Sequence, residues 1–272
     1  MDSEDPTDEV QYHIELAPGD ITGPVLLPGD PERVPVVAEQ WDEAESVAQH
    51  REYRTMRGRR DGTPLACTST GIGSPSAAIA AEELASVGAE TLIRVGSCGA
   101  IQPEAGIGDV VITTAAVRQE GTSDEYVRPD YPASAADEAV SALVAAAERL
   151  GHDYHLGVTC STDSFYAGQA RDGHGGFRAA GAEARMDELR EAGVLNYEIE
   201  AAALLTLASI YGLRAGAVCT VFANRATGEF RTEGEGKAAE VASEAAVVLD
   251  GMDRVKREAG VDHWHAGLSL DG

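Results

Sequence analysis

Short apolar runs rich in Val, Ile, Leu and Thr alternate with segments of helical spacing, a pattern that predicts an α/β fold. The expected architecture is a single-domain, three-layer α/β/α arrangement with a central, mostly parallel mixed β-sheet. Three observations carry it. The apolar runs are too short for buried helices and the right length for strands. Helix start and stop signals stand between several of them. No repeat or low-complexity linker divides the 272 residues, so one domain is the simplest organisation.

Strands are expected over 24–27, 65–69, 91–95, 109–115, 156–160 and 215–222. Ser74-Pro75-Ser76 supplies a cap and a first-turn proline ahead of AAIAAEELASV, and Gly88 closes that helix. Asp137-Glu138 opens a second helix over AVSALVAAAERL, with Gly151 as its stop. A third is expected from about 197 to 211 and a fourth from 236 to 259. Residues 1–11 read as a flexible acidic N-terminus, 12–260 as the domain and 261–272 as a C-terminal tail. In such folds ligands gather just past the carboxyl ends of the strands.

Composition narrows the function. The chain has 46 Asp+Glu against 21 Lys+Arg, a formal charge of -25, and its only lysines are Lys237 and Lys256. Phosphate backbones and anionic lipid would be repelled, so neither nucleic acid nor membrane is an expected partner. An acidic, lysine-poor surface fits work in very high salt, where self-repulsion is screened within about 3 Å. The acidic start lacks the apolar core of a secretory signal, and a cytoplasmic protein is expected. Cys67, Cys98, Cys160 and Cys219 are widely spaced in or beside apolar runs and read as buried free thiols. His152, His155 and the terminal His263-Trp264-His265 lack a convincing third metal ligand.

The chemistry-bearing segments follow strands. VLLPGDPERV places Arg33 past a glycine turn, and RVGSCGA places Arg94 inside an apolar strand. A buried arginine must be paired: with an internal carboxylate, or with a bound anion cradled by glycine amides. Thr68–Ser76 holds Gly71-Ile72-Gly73 but lacks the third glycine and acidic partner of a dinucleotide site, so a tight turn is expected. STDSFYAGQAR offers a ring face at Phe165 and polar groups at Gln169 and Arg171, a set suited to a small planar heterocycle. NYEIE presents Glu198 and Glu200 before an apolar helix, either as acceptors for vicinal hydroxyls or as helix-start acids. VFANR ends the last strand at the same edge.

Together these describe an anion, a heterocycle and a sugar meeting in one cleft. In order, YHIEL, PGDPERV, HREY, STGIGSPS, EEL, RVGSCGAIQP, GDVVITTAAVR, STDSFYAGQAR, GVLNYEIEAA and NR resemble the nucleoside phosphorylase superfamily. Within it they are most similar to the uridine-specific branch. The resemblance implies phosphate binding by Gly29, Arg33, Arg94 and Ser97, with Arg51 reaching in from a neighbouring subunit. It implies ribose binding by Glu198, Ile199 and Glu200, with His13 crossing over from the neighbour, and base binding by Phe165, Gln169, Arg171, Phe222 and Arg225. Arg94, Gln169, Arg171 and Glu200 would carry catalysis. Phosphate is then a co-substrate and no organic cofactor is expected. A potassium ion at Glu52, Ile72 and Ser76, between subunits of a homohexamer built from dimers, is also implied.

Two departures stand out. Ser97 and Ile199 replace the threonine and methionine usual in uridine-specific members, and RVGSCGA reads more like the hexameric purine enzymes. Phe222-Ala223-Asn224 lacks the aspartate expected for purine phosphorolysis, and Gln169 with Arg171 favours a pyrimidine. Uridine phosphorolysis is therefore the expected activity, ahead of a purine or broad-specificity phosphorylase and of a nucleosidase using water.

Overall fold

Alternation along the strands builds the layers. In the computed structural model, which describes residues 10–232, 234 and 236–268, Val25 and Leu27 join one buried cluster while Leu26 joins another. Leu92 and Ile93 divide in the same way, as do Ala217 and Val218. These residues belong to β1 (Val25–Pro28), β5 (Thr91–Ala100) and β10 (Arg214–Asn224), the parallel centre of the sheet. One face is covered by α2 (Ser74–Ser86) and α5 (Ala201–Tyr211). The other is covered by α1 (Arg33–Ala38), α3 (Asp137–Leu150) and α6 (Lys237–Ala259).

Antiparallel pairs flank this centre. On one side β4 (Thr63–Thr68) joins β1, followed by β3 (Tyr53–Arg60) and β2 (Glu43–His50). On the other, β10 pairs antiparallel with β6 (Val110–Gln119), which pairs parallel with β8 (Tyr154–Thr162) and antiparallel with the short β7 (Ala133–Ser134). The path closes on itself: β8 pairs with β9 (Asn196–Glu198), and β9 returns to the far end of β5. The remaining elements are α4 (Ala182–Glu191) and β11 (Glu229–Phe230), the latter antiparallel to β10.

Several expectations are corrected. The third helix begins at Ala201 rather than near 197, because residues 196–198 form β9. Ser74 is the first helical residue of α2 and caps nothing with its side chain; its Oγ donates to the Ile199 carbonyl at 2.8 Å. The strands β2 and β3 escape hydrophobic pattern reading because β2, at the sheet edge, is polar and largely exposed, while β3 beside it is half-buried and rich in arginine. Gly151 does stop α3 in the left-handed conformation, at φ 69°.

Residues 1–9 of the acidic N-terminal segment and 269–272 of the tail lie outside the described residues. Within the tail, Trp264 packs on the second cluster and its backbone N–H donates to Glu138 at 3.0 Å. Glu138 also receives Arg214 Nη1 at 2.7 Å and Lys256 Nζ at 2.7 Å. No helix among the described residues is long and apolar enough to cross a membrane. All four cysteines are buried and unbonded. His152 and His155 pair with Glu240 and Asp109 at 2.8 and 2.9 Å, which accounts for both.

Glu138→Ala should take one acceptor from three donors, leaving Arg214 and Lys256 on Asp253 alone and the Trp264 N–H unmatched, and lower unfolding free energy by about 2 kcal/mol. Urea unfolding followed by circular dichroism measures the loss.

Candidate active site

At the carboxyl ends of β1, β5 and β10 lies a cavity of about 320 Å³, lined by Gly29, Arg33, Arg94, Ser97, Phe165, Gln169, Arg171, Glu198, Ile199, Glu200 and Phe222 among others. The sequence scatters these residues over nearly 200 positions. Strand ends gather them because every parallel strand delivers its following loop to the same edge.

Arg94 is the buried centre, 5% exposed. Its Nε donates to Glu198 Oε2 at 2.7 Å, and its Nη2 pairs with Glu200. Its Nη1 is buried without a partner in the protein, a donor suited to an anion. The expected carboxylate pairing is therefore met by Nε and Nη2, and Nη1 is left as a donor facing no protein acceptor. Burial alone would weaken its hold on the proton, but Glu200 and Glu198 outweigh burial and keep it charged.

The two carboxylates have different surroundings. Glu198 Oε1 accepts from Ser161, while Oε2 accepts from Arg94 and from the backbone N–H groups of Glu200 and Ala201, both at 2.9 Å. That carboxylate holds β9, α5 and Arg94 together while still lining the cavity. Glu200 accepts from the Gly73 N–H at 2.7 Å and from Arg94. The Gly71-Ile72-Gly73 turn thus serves a carboxylate, not a dinucleotide. Burial pushes the Glu200 carboxyl above the ordinary carboxylate range, with Arg94 pulling against it and Glu198 adding to it.

Phe165, Gln169 and Arg171 line the same cavity. Gln169 is buried, and the next residue, Ala170, is held in the left-handed region at φ 52°. Arg225 explains how: its Nη1 and Nη2 donate to the carbonyls of Gln169 and Ala170 at 2.7 and 3.0 Å. Arg225 does not itself line the cavity; through this clamp it orders the segment that carries Gln169, the ordering part that the resemblance implies for it. Arg171 lies 4.3 Å from the Phe165 ring centroid, and its Nε is buried without a partner. Burial and the charge of Arg225 both loosen the Arg171 proton. Arg33 lies 5.7 Å from the Phe222 ring centroid.

His13, Arg51, Glu52 and Ser76 do not line this cavity. His13 Nδ1 contacts Glu83 at 2.5 Å, and Arg51 Nη2 donates to the Tyr12 hydroxyl at 3.2 Å on an exposed face. Glu52 and Ser76 meet over Gly71, where an added Cβ would lie 2.8 Å from Glu52 Cγ and 3.0 Å from Ser76 Oγ. Ser76 Oγ also donates to the Ile72 carbonyl at 3.3 Å, so three oxygen-bearing groups converge.

Sequence reasoning missed Tyr197 and Phe230, which also line the cavity. Phe230 stands opposite Ala223 in the β10–β11 pair, its ring 68% exposed. A signal existed: of the chain's four phenylalanines, three line the cavity and the fourth, Phe177, is exposed. Phenylalanine normally seeks the core, so a chain that withholds it there keeps it for a ligand.

Comparison with known proteins agrees with this arrangement. Residues 25–252 match the Phosphorylase superfamily, and the chain belongs to that family. It is 58% identical over 259 residues to the uridine phosphorylase of Thermococcus kodakarensis, covering 95% of this chain and 94% of that one. Over 217 residues it is 45% identical to the uridine phosphorylase of Escherichia coli, with 79% and 86% covered. It is 42% identical over 218 residues to the guanosine phosphorylase of Halorubrum lacusprofundi, with 80% and 85% covered.

A raised carboxyl pKa means the folded protein holds that proton more tightly than the unfolded chain. Ionised Glu200 therefore costs stability at neutral pH, and the cost fades as pH falls toward the ordinary value of 4.5. Glu200→Gln removes this titration, so the Tm of wild type relative to the variant should rise as pH is lowered from 7 toward 4.5. Calorimetric Tm across that range is the check.

Proposed function

We propose that this chain catalyses the reversible phosphorolysis of uridine, giving uracil and ribose 1-phosphate. The observation that carries the reading is the unpartnered arm of Arg94, an anion donor beside Glu200 and across one small cavity from Gln169 and Arg171. Arg94, Arg33, Ser97 and the Gly29 backbone hold phosphate beneath the sugar, which converts an encounter into a positioned attack. The bound phosphate's charge also stabilises the cationic ribosyl centre as the glycosidic bond stretches. Glu200 accepts the 2′- and 3′-hydroxyls, and Ile199 offers the sugar an apolar face. Gln169 and Arg171 stabilise negative charge on departing uracil, so no strong general acid is needed.

Asn224 bears on the purine alternative. Its amide donates to the carbonyls of Gln102 and Ala105 at 2.9 and 2.8 Å, and its Oδ1 accepts from Ala226 N at 2.8 Å. It is committed to the backbone and cannot protonate a purine nitrogen. The guanosine-named relative keeps purines in the test.

His13 and Arg51 stand outside the cavity of their own chain, which supports their completing a neighbour's site within a homohexamer assembled from dimers. The convergence of Glu52, Ser76 and the Ile72 carbonyl suits a potassium ion at such an interface; bound there, the ion would balance the Glu52 carboxylate. The acidic, lysine-poor composition favours a cytoplasm rich in salt.

Arg94→Ala should lower kcat/KM for phosphate by roughly a hundredfold or more. Gln169→Ala and Arg225→Ala should instead raise KM for uridine by about tenfold and leave phosphate KM close to wild type. Steady-state kinetics on uridine, inosine and guanosine in molar KCl, varying each substrate in turn, checks both splits. Faster turnover of either purine than of uridine would contradict the reading.

A further inference from the structure

Arg94 is held by more than its carboxylates. Residues 94, 96 and 98 share one face of β5, because side chains alternate along a strand. Gly96 is not among the residues with positive φ, so its backbone conformation does not demand glycine. Space does. A Cβ built on Gly96 would lie 2.8 Å from Cys219 Sγ, 3.0 Å from Arg94 Nη2 and 3.1 Å from Arg94 Cζ. All are well inside ordinary van der Waals separation. The volume above this glycine is therefore filled jointly by the guanidinium and the thiol.

Cys219 is the Cα partner of Gly96 on β10, 1% exposed and unbonded. Burial pushes its thiol up to about 12, so it is uncharged at neutral pH and does not compete with Glu198 and Glu200 for the arginine.

We propose that Gly96 and Cys219 are positioning residues for phosphate capture, forming a seat that fixes where Arg94 Nη1 points. The carboxylates tether Nε and Nη2, and the seat sets the depth and tilt of the planar fork. A guanidinium recognises phosphate through that plane, so a small tilt misdirects the free arm. This inference rests on the reading of Arg94 as a phosphate ligand, and the phosphate dependence of the wild type, measured alongside, separates the two.

Gly96→Ala should raise KM for phosphate by about tenfold or more, since a displacement near 1 Å is enough to cost that much. KM for uridine should stay within about twofold, a split that a general loss of structure would not give. Adding Cys219→Ala removes the atom nearest the new methyl and gives the guanidinium room to return. The double variant should regain much of the lost phosphate affinity, a non-additive result. Cys219→Val crowds the same space with Gly96 intact and should also raise phosphate KM selectively, which keeps the test available if Gly96→Ala fails to fold. An unchanged phosphate KM in Gly96→Ala or in Cys219→Val would overturn the seat, as would a double variant that simply adds a second loss. Uracil release by wild type that ignores phosphate would overturn the Arg94 reading and the seat with it.

Discussion

A buried guanidinium between two carboxylates is the constraint around which this molecule is arranged. An arginine at the centre of a sheet is tolerable only if its charge is matched and its donors are used. Here Glu198 arrives at the end of β9 and Glu200 just before α5, so both partners depend on that strand–helix junction. The junction is tied in turn to the start of α2, through Gly73 N–H on Glu200 and Ser74 on the Ile199 carbonyl. Arg94 and Glu200, proposed to hold phosphate and sugar, consequently belong to one network.

That network explains how a chain of formal charge -25 can attract an anion. Charges more than about 8–10 Å apart across water are screened at ordinary ionic strength, and more so in high salt. Inside the cavity the nearest cations act at short range and with little water, where a donor counts for far more. Chemistry then follows from position. In the proposed reaction Arg94 and Arg33 would hold the nucleophile while Gln169 and Arg171 would receive charge from the leaving group. Such a reaction needs no titrating acid at the base, which fits a cavity that places an amide and a guanidinium in its lining.

Much of the layer order was legible because buried parallel strands read as apolar runs bounded by turn residues. The edge strand β2 and its neighbour β3 were not, since β2 is largely exposed and β3 is half-buried and rich in arginine, so neither forms an apolar run. Residues 197–198 read as the start of a helix because so short a stretch carries no period, and only the closing of β8 and β5 upon 196–198 makes it a strand. Arg33, Arg94, Gln169 and Arg171 were legible as donors at strand ends, and the cavity unites them. The division of labour between Glu198 and Glu200 was not, because two carboxylates two residues apart look alike until their partners are known. The Arg225 clamp and the Phe230 ring depend on contacts between loops far apart in sequence, beyond the reach of local pattern.

If Arg94 is what makes this cavity phosphorolytic, uracil release from uridine must follow inorganic phosphate as it is titrated from zero. Saturable dependence on phosphate is expected, with ribose 1-phosphate formed in equal amount to uracil. Undiminished uracil release without phosphate, accompanied by free ribose, would contradict it.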